Sequence, residues 1–172
     1  MNASPSLPEP WLRGTLTEVN AVPRAVLHAL ELAREDLRKW CGSLSAEEIN
    51  AQPHGLPSVA FQLRHIARSL DRLLTYAEGS GLSAEQLEAL RQESQPTASA
   101  LAAFDELSAA LDRAADRIRA LAKIDLEQPR SVGKKALPTT VGGLLVHVAD
   151  HTQRHVGQAI TTAKILLADR QR

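Results

Sequence analysis

The chain has 172 residues, with Lys+Arg and Asp+Glu at 20 each, so its formal net charge is zero and supplies no electrostatic footprint for nucleic acid or an anionic membrane. Hydrophobic residues at 44% and charged residues at 23% match a globular chain and exclude a disordered one. No apolar run approaches the roughly 18 residues that span a bilayer. Aromatic residues make up only 3% while Ala and Leu abound, the balance of packed helices rather than strands.

Residues 1–14, MNASPSLPEPWLRG, lack the apolar stretch of a signal peptide and are expected to be extended or poorly ordered, in a cytoplasmic protein. Beyond them, proline-free stretches cover 24–52, 58–95, 97–128 and 139–172, and proline inside a helix costs about 3 kcal/mol. Four main helices follow. The first, 21–41, carries Pro23 in its first turn and an apolar stripe of Val22, Val26, Ala29, Ala33, Leu37 and Trp40. A connecting turn of helix, SAEEINAQP, comes next. The second helix runs from Ser58 as N-cap to Ala77, before Gly79 and Gly81, with a stripe of Val59, Leu63, Ile66, Leu70, Leu73 and Ala77. Residues 83–92 form a short helix capped by Ser83, and the third main helix, 98–122, repeats Leu101, Phe104, Leu111, Ile118 and Leu121. A polar loop, KIDLEQPRSVGKKALP, leads to the fourth, 140–168, capped by Thr139 or Thr140. The whole chain, 1–172, reads as a single all-α domain, a four-helix bundle with short accessory helices.

The chemistry lies in HVADHTQRHVGQ, residues 147–158. His147, His151 and His155 follow at i, i+4 and i+8, and neighbours in such a series can share one metal ion. The outer two are about 12 Å apart along the axis at about 1.5 Å per residue, so one ion does not take all three. On a helical wheel, His151 and His155 are turned about 40° and 80° from His147 toward the stripe of Leu144, Leu145, Val148, Val156 and Ala159. The inward pair is therefore His151 and His155, either metal ligands or satisfied boundary histidines, and His147 sits on the border. A third ligand has to come from another helix. His65 shares a face with Phe61, Ser69 and Arg72, off its helix's main stripe, which suits a surface residue or one pointing into a cleft. His28 and His54 have no partner at ligand spacing.

Together, LPSVAFQLRHIARSLDRLLTYAEG and TTVGGLLVHVADHTQRHVGQAIT resemble the DinB-like (damage-inducible) superfamily of metal-binding four-helix bundles, over residues 55–165. That group includes bacillithiol transferases and mycothiol-dependent isomerases. Its mark is one histidine on the second helix and an HxxxH pair on the last, followed by x-G-Q. The resemblance places metal ligands at His65, His151 and His155, ahead of Gly157 and Gln158. Val156 stands where many members carry arginine, so a role of that arginine does not transfer.

Other features carry bland readings. Cys41 is too solitary for a disulfide or a thiolate zinc site and reads as a small hydrophobe. Arg130, Lys134 and Lys135 either draw an anionic substrate or form a solvated loop. Gly142, Gly143 and Gly157 inside a helix imply close packing against a neighbouring helix. No GxSxG is present, and catalytic residues are not assigned.

The resemblance implies a thiol-dependent S-transferase with a three-histidine site for zinc or nickel, and a low-molecular-weight thiol as co-substrate. A homodimer is expected, with no nucleic-acid or membrane partner. The competing expectations are a non-catalytic metal-binding stress-response bundle and a metal-dependent hydrolase.

Overall fold

Local signals set the helix ends. Helix α1 (Ala21–Cys41) takes Pro23 in its first turn, where no intrahelical bond is lost. A capping box of Ser45 and Glu48 opens the five-residue α2 (Ala46–Asn50). Helix α3 (Val59–Ala77) starts where Ser58 Oγ accepts from the Phe61 N–H at 3.1 Å. Ser83 and Gln86 box the start of α4 (Ala84–Arg91), and Ser99 caps α5 (Ala100–Leu121). Helix α6 (Val141–Asp169) is capped by Thr140, whose Oγ1 accepts from Gly143, so Thr140 and not Thr139 ends the loop. These elements come from a computed structural model that describes residues 7–97 and 99–170.

The four long helices bury one continuous core. It draws on Val26, Leu30, Ala33 and Leu37 of α1, on Leu63, Ile66, Leu70 and Leu74 of α3, on Leu107, Leu111 and Ile118 of α5, and on Leu145, Val148 and Val156 of α6. Two residues of the expected stripes face outward: Val22 is exposed and Leu101 is 71% exposed. Helix α5 turns Ala103, Ala110 and Ala114 inward with Leu107, and small side chains at those turns let neighbouring helices approach closely.

Helices α3 and α6 lie side by side and antiparallel, with Gln62 meeting Gln158 and His65 meeting His155. Helix α5 packs on the other flank of α3 and runs in the same sense, since Arg68 pairs with Glu106 while Arg117 reaches Asp71 and Glu78. Helix α1 closes the bundle against α6 and α5, through Gln153 with the Ala29 carbonyl and Arg34 with Ser108 and Asp112. Two neighbouring helices of the same sense require a return connection. Residues 78–97, including α4, make that return along α3.

Three expectations are corrected. The loop before α6 contains a hairpin, β1 (Pro129–Val132) against β2 (Leu137–Thr140), antiparallel with Pro129 opposite Thr140. Its turn places Gly133 and Ala136 at positive φ, 71° and 49°. Each strand has only four residues, too few for alternation to stand out. Residues 7–14 are also more structured than expected. A 3₁₀ turn spans Pro10–Leu12, and Arg13 pairs with Glu31 and Glu35 of α1; residues 1–6 lie outside the described residues. Finally, the helical glycines differ. A side chain at Gly142 would press on Leu126 of the preceding loop, at 3.2 Å from its carbonyl oxygen, whereas one at Gly157 would meet open space. Close packing therefore accounts for Gly142, against a loop and not a helix, and does not account for Gly157.

Candidate metal centre

The antiparallel contact of α3 and α6 gathers His65, His151 and His155. Each offers one ligand nitrogen, and the three nitrogens lie within 4.8 Å of one another. Ring centroids are 4.3 Å apart for His65 and His155, 5.0 Å for His65 and His151, and 4.5 Å for His151 and His155. His65 thus lies in a cleft, its side chain 19% exposed, with the Phe61 ring stacked on it at 5.4 Å. Of its two open readings, surface or cleft, the structure takes the cleft.

Two of the three imidazoles are oriented by hydrogen bonds at Nδ1. His65 Nδ1 lies 2.7 Å from Glu93 Oε2. His155 Nδ1 lies 2.7 Å from Gln62 Oε1, while the Gln62 amide donates to Gln158 Oε1 at 3.0 Å. An amide that donates through nitrogen and accepts through oxygen leaves His155 Nδ1 as the donor, and its Nε2 as the free lone pair. Gln62 is fully buried, so this orientation is held by packing as well. Among the described residues no group hydrogen-bonds the His151 ring; the rings of His65, His147 and His155 surround it.

Electrostatics agree with a neutral donor set. Burial pushes His151 and His155 down to about 4, and the neighbouring imidazoles and Arg154 add to the effect. Both rings are therefore unprotonated at neutral pH. Glu93 is held below the usual carboxylate range: burial opposes its charge, and hydrogen bonds and charge from His65 and Arg72 outweigh burial. The donor set suits a borderline divalent cation, because neutral imidazole is a ligand that zinc and nickel both accept.

The remaining histidines lie outside the cluster. The His147 ring is 5.4 Å from that of His151, but its Nδ1 is engaged by Asp150 Oδ1 at 2.9 Å and its side chain is 45% exposed. His28 is buried with Thr15 Oγ1 at 3.2 Å from Nε2, and His54 sits exposed in the Pro53–Gly55 turn. Cys41 is buried, its thiol pushed up to about 12, which removes it as a nucleophile. Arg130 donates to the Ala77 and Pro129 carbonyls and to Gln128, fastening the hairpin to the end of α3. Lys134 and Lys135 lie exposed at the hairpin turn. Val156 is buried in the core, where an arginine would have no solvent.

Sequence reasoning missed Glu93 and Gln62 as supports of the site. Gln62 carried a signal, a polar residue three positions before His65 and on the side that faces α6. Glu93 carried none, since it lies in a connection 28 residues after His65.

Comparison with curated proteins gives no match. Among solved structures, the chain is similar to a conserved protein from Enterococcus faecalis, at 22% identity and a TM-score of 0.68, covering 87% of this chain and 99% of that one. At that identity the likeness bears on the fold alone. The family model of the DinB superfamily matches residues 29–159, a span that contains all three clustered histidines, and the chain belongs to that superfamily.

Proposed function

We propose that His65, His151 and His155 hold one divalent metal ion, zinc or nickel, and that the protein is a thiol-dependent S-transferase using a low-molecular-weight thiol. The observation that carries the metal reading is the convergence of three imidazole nitrogens within 4.8 Å. Two of those rings are already oriented by Glu93 and Gln62. A bound divalent ion with three neutral protein ligands keeps an open position and lowers the pKa of a thiol brought to it.

The chain's own residues do the rest. His65 and His155 are held by their Nδ1 partners, so little ordering accompanies binding. The low proton affinity of His151 and His155 spares the site competition from protons at neutral pH. Phe61, stacked on His65, forms an apolar flank that shields that ring from water. Superfamily membership supports thiol chemistry over hydrolysis.

Metal-binding without catalysis is the second reading. It is favoured by the engagement of both Glu93 oxygens, by His65 and Arg72, which leaves that carboxylate unavailable as a general base. Mass spectrometry of the purified protein should find about one zinc or nickel per chain. Conjugation of small thiols to an electrophilic aryl halide should then depend on that metal. Metal with no thiol transfer selects the second reading, and no metal overturns both. We also propose a homodimer, so light scattering should give twice the 18.6 kDa chain mass, and a single-chain mass would refute it.

A further inference from the structure

The return connection of the bundle lies against one face of α3, and three arginines of that helix hold it there. Arg64, Arg68 and Arg72 stand one turn apart at i, i+4 and i+8. Arg64 donates to the Gln95 carbonyl, Arg68 to the Ala89 carbonyl at 2.6 Å, and Arg72 to Glu93 Oε1 at 2.5 Å. Asn50 fixes the far end, accepting from the Thr97 N–H at 2.9 Å and donating to its carbonyl at 3.1 Å. Residues 89–97 are thus clamped at three points along α3 and at a fourth on α2.

His65 follows Arg64 in sequence and contacts the same segment. Glu93 is only 5% exposed, and its two oxygens are divided: Oε1 takes Arg72 and Oε2 takes His65 Nδ1. Arg72 also donates to Ser69 Oγ at 3.0 Å. That hydroxyl lies 3.4 Å from His65 Nε2 and is able to donate to that nitrogen. A carboxylate accepts only, so the nitrogen facing it carries the proton. The Glu93 contact selects one tautomer of the ring, and the Ser69 hydroxyl, which can donate, is compatible with the lone pair that this tautomer leaves at Nε2.

We propose that Glu93 is the positioning residue of the centre: together with Arg72 it locks His65 in the tautomer protonated at Nδ1, with Nε2 presented to His151 and His155. This rests on the metal reading above for its purpose, but not for its geometry. Glu93 acts through His65 and touches no ion. It also ties His65 to the α4–α5 connection, so the third ligand is in register only while that connection is docked.

The test is made first without metal, at about pH 8, above the ordinary imidazole range. Two-bond ¹H–¹⁵N correlation should show His65 of the wild-type protein protonated at Nδ1 alone. The double variant Glu93→Leu with Arg72→Met removes the acceptor without leaving a buried guanidinium unpaired. It should show a mixture of tautomers while keeping its helical circular dichroism. Zinc affinity, measured by competition with a chromophoric chelator, should fall about 10- to 100-fold in that variant. Glu93→Asp, which keeps the acceptor, should recover part of the loss. Should the double variant prove unfolded, Asn50→Ala, which releases the far end of the clamp and touches neither His65 nor Glu93, should lower zinc affinity in the same direction.

Wild-type His65 protonated at Nε2 would overturn the inference even if zinc binds. So would a double variant that keeps the single tautomer and the wild-type zinc affinity. Because the tautomer is read without metal, wild-type protein that shows it and yet binds no zinc counts against the metal centre alone.

Discussion

His65 and His155 meet at one centre, with ring centroids 4.3 Å apart, yet they are held by different chemistry. On the α3 side, His65 leans on a buried carboxylate that is itself neutralised by Arg72. On the α6 side, His155 leans on a neutral amide, Gln62, which passes its own hydrogen to Gln158. The amide has no net charge to compensate and can be fully buried without a counterion. The carboxylate needs its arginine, and the arginine comes from the same helix as the histidine. The lesson is that charged support was built where a long connection could be fastened to one helix. Where two helices meet directly, neutral support was enough.

The largest expected effect tests what the two sides share. His151→Ala and His155→Ala should each abolish stoichiometric divalent-metal binding, and His65→Ala should do nearly the same, since a two-imidazole remnant leaves the ion to water and buffer. Metal stoichiometry by mass spectrometry checks this, and an unchanged ion content in any of the three would break the site. The variants should stay helical by circular dichroism. The stabilisation that bound metal gives the folded state should vanish with the ion, seen as a lower thermal midpoint in metal-containing buffer.

Acid should act next, and through the α6 side. His151 and His155 titrate at about 4 in the folded chain against an ordinary 6.5, so the unfolded chain takes up protons first as pH falls. Their contribution is fully present above 6.5 and is lost progressively toward about 4. The metal-free protein should show a thermal midpoint that drops between pH 7 and pH 5, a window above the titration of the ordinary carboxylates. In the variant carrying both His151→Ala and His155→Ala that drop should shrink. Equal drops in the two proteins would assign the acid sensitivity elsewhere.

Gln62→Leu sharpens the comparison itself. It removes the acceptor at His155 Nδ1 while filling the same buried volume, and Gln158 loses its partner at an exposed position where water replaces it. Metal affinity should fall about tenfold, the lower end of what an outer-shell partner contributes. A loss as large as that from removing Glu93 and Arg72 would show amide and carboxylate support to be equivalent. The smallest effect belongs to His147→Ala. His147 is turned to Asp150, so metal content should match wild type. If this variant lost the ion while His155→Ala kept it, the centre would sit one helical turn earlier.

The chain's own periodicity reached far into this fold. Proline spacing, the caps Ser58 and Ser83, and a cap at Thr139 or Thr140 delimited helices that the structure places within a residue or two of the expected ends. Those signals are local, since a cap satisfies N–H groups two or three residues away. HxxxH was equally legible, because i and i+4 share a helix face whatever the rest of the chain does. The choice of His151 and His155 over His147 followed from the same wheel.

What the tertiary structure alone decided is where the elements meet. Leu101, in the first turn of α5, faces outward while Leu107, Leu111 and Ile118 face the core, because the helices packed against α5 decide which of its sides is buried. The hairpin of 129–140 formed from two four-residue strands whose pairing is a contact between segments, invisible to periodicity. His65 was an ambiguous polar residue until α6 ran antiparallel to α3 and set His155 against it. Glu93 had no signal at all. Its place beside His65 depends on α3 and α5 running in the same sense, which obliges residues 78–97 to return along α3 and brings a carboxylate from a connection onto a histidine 28 residues before it.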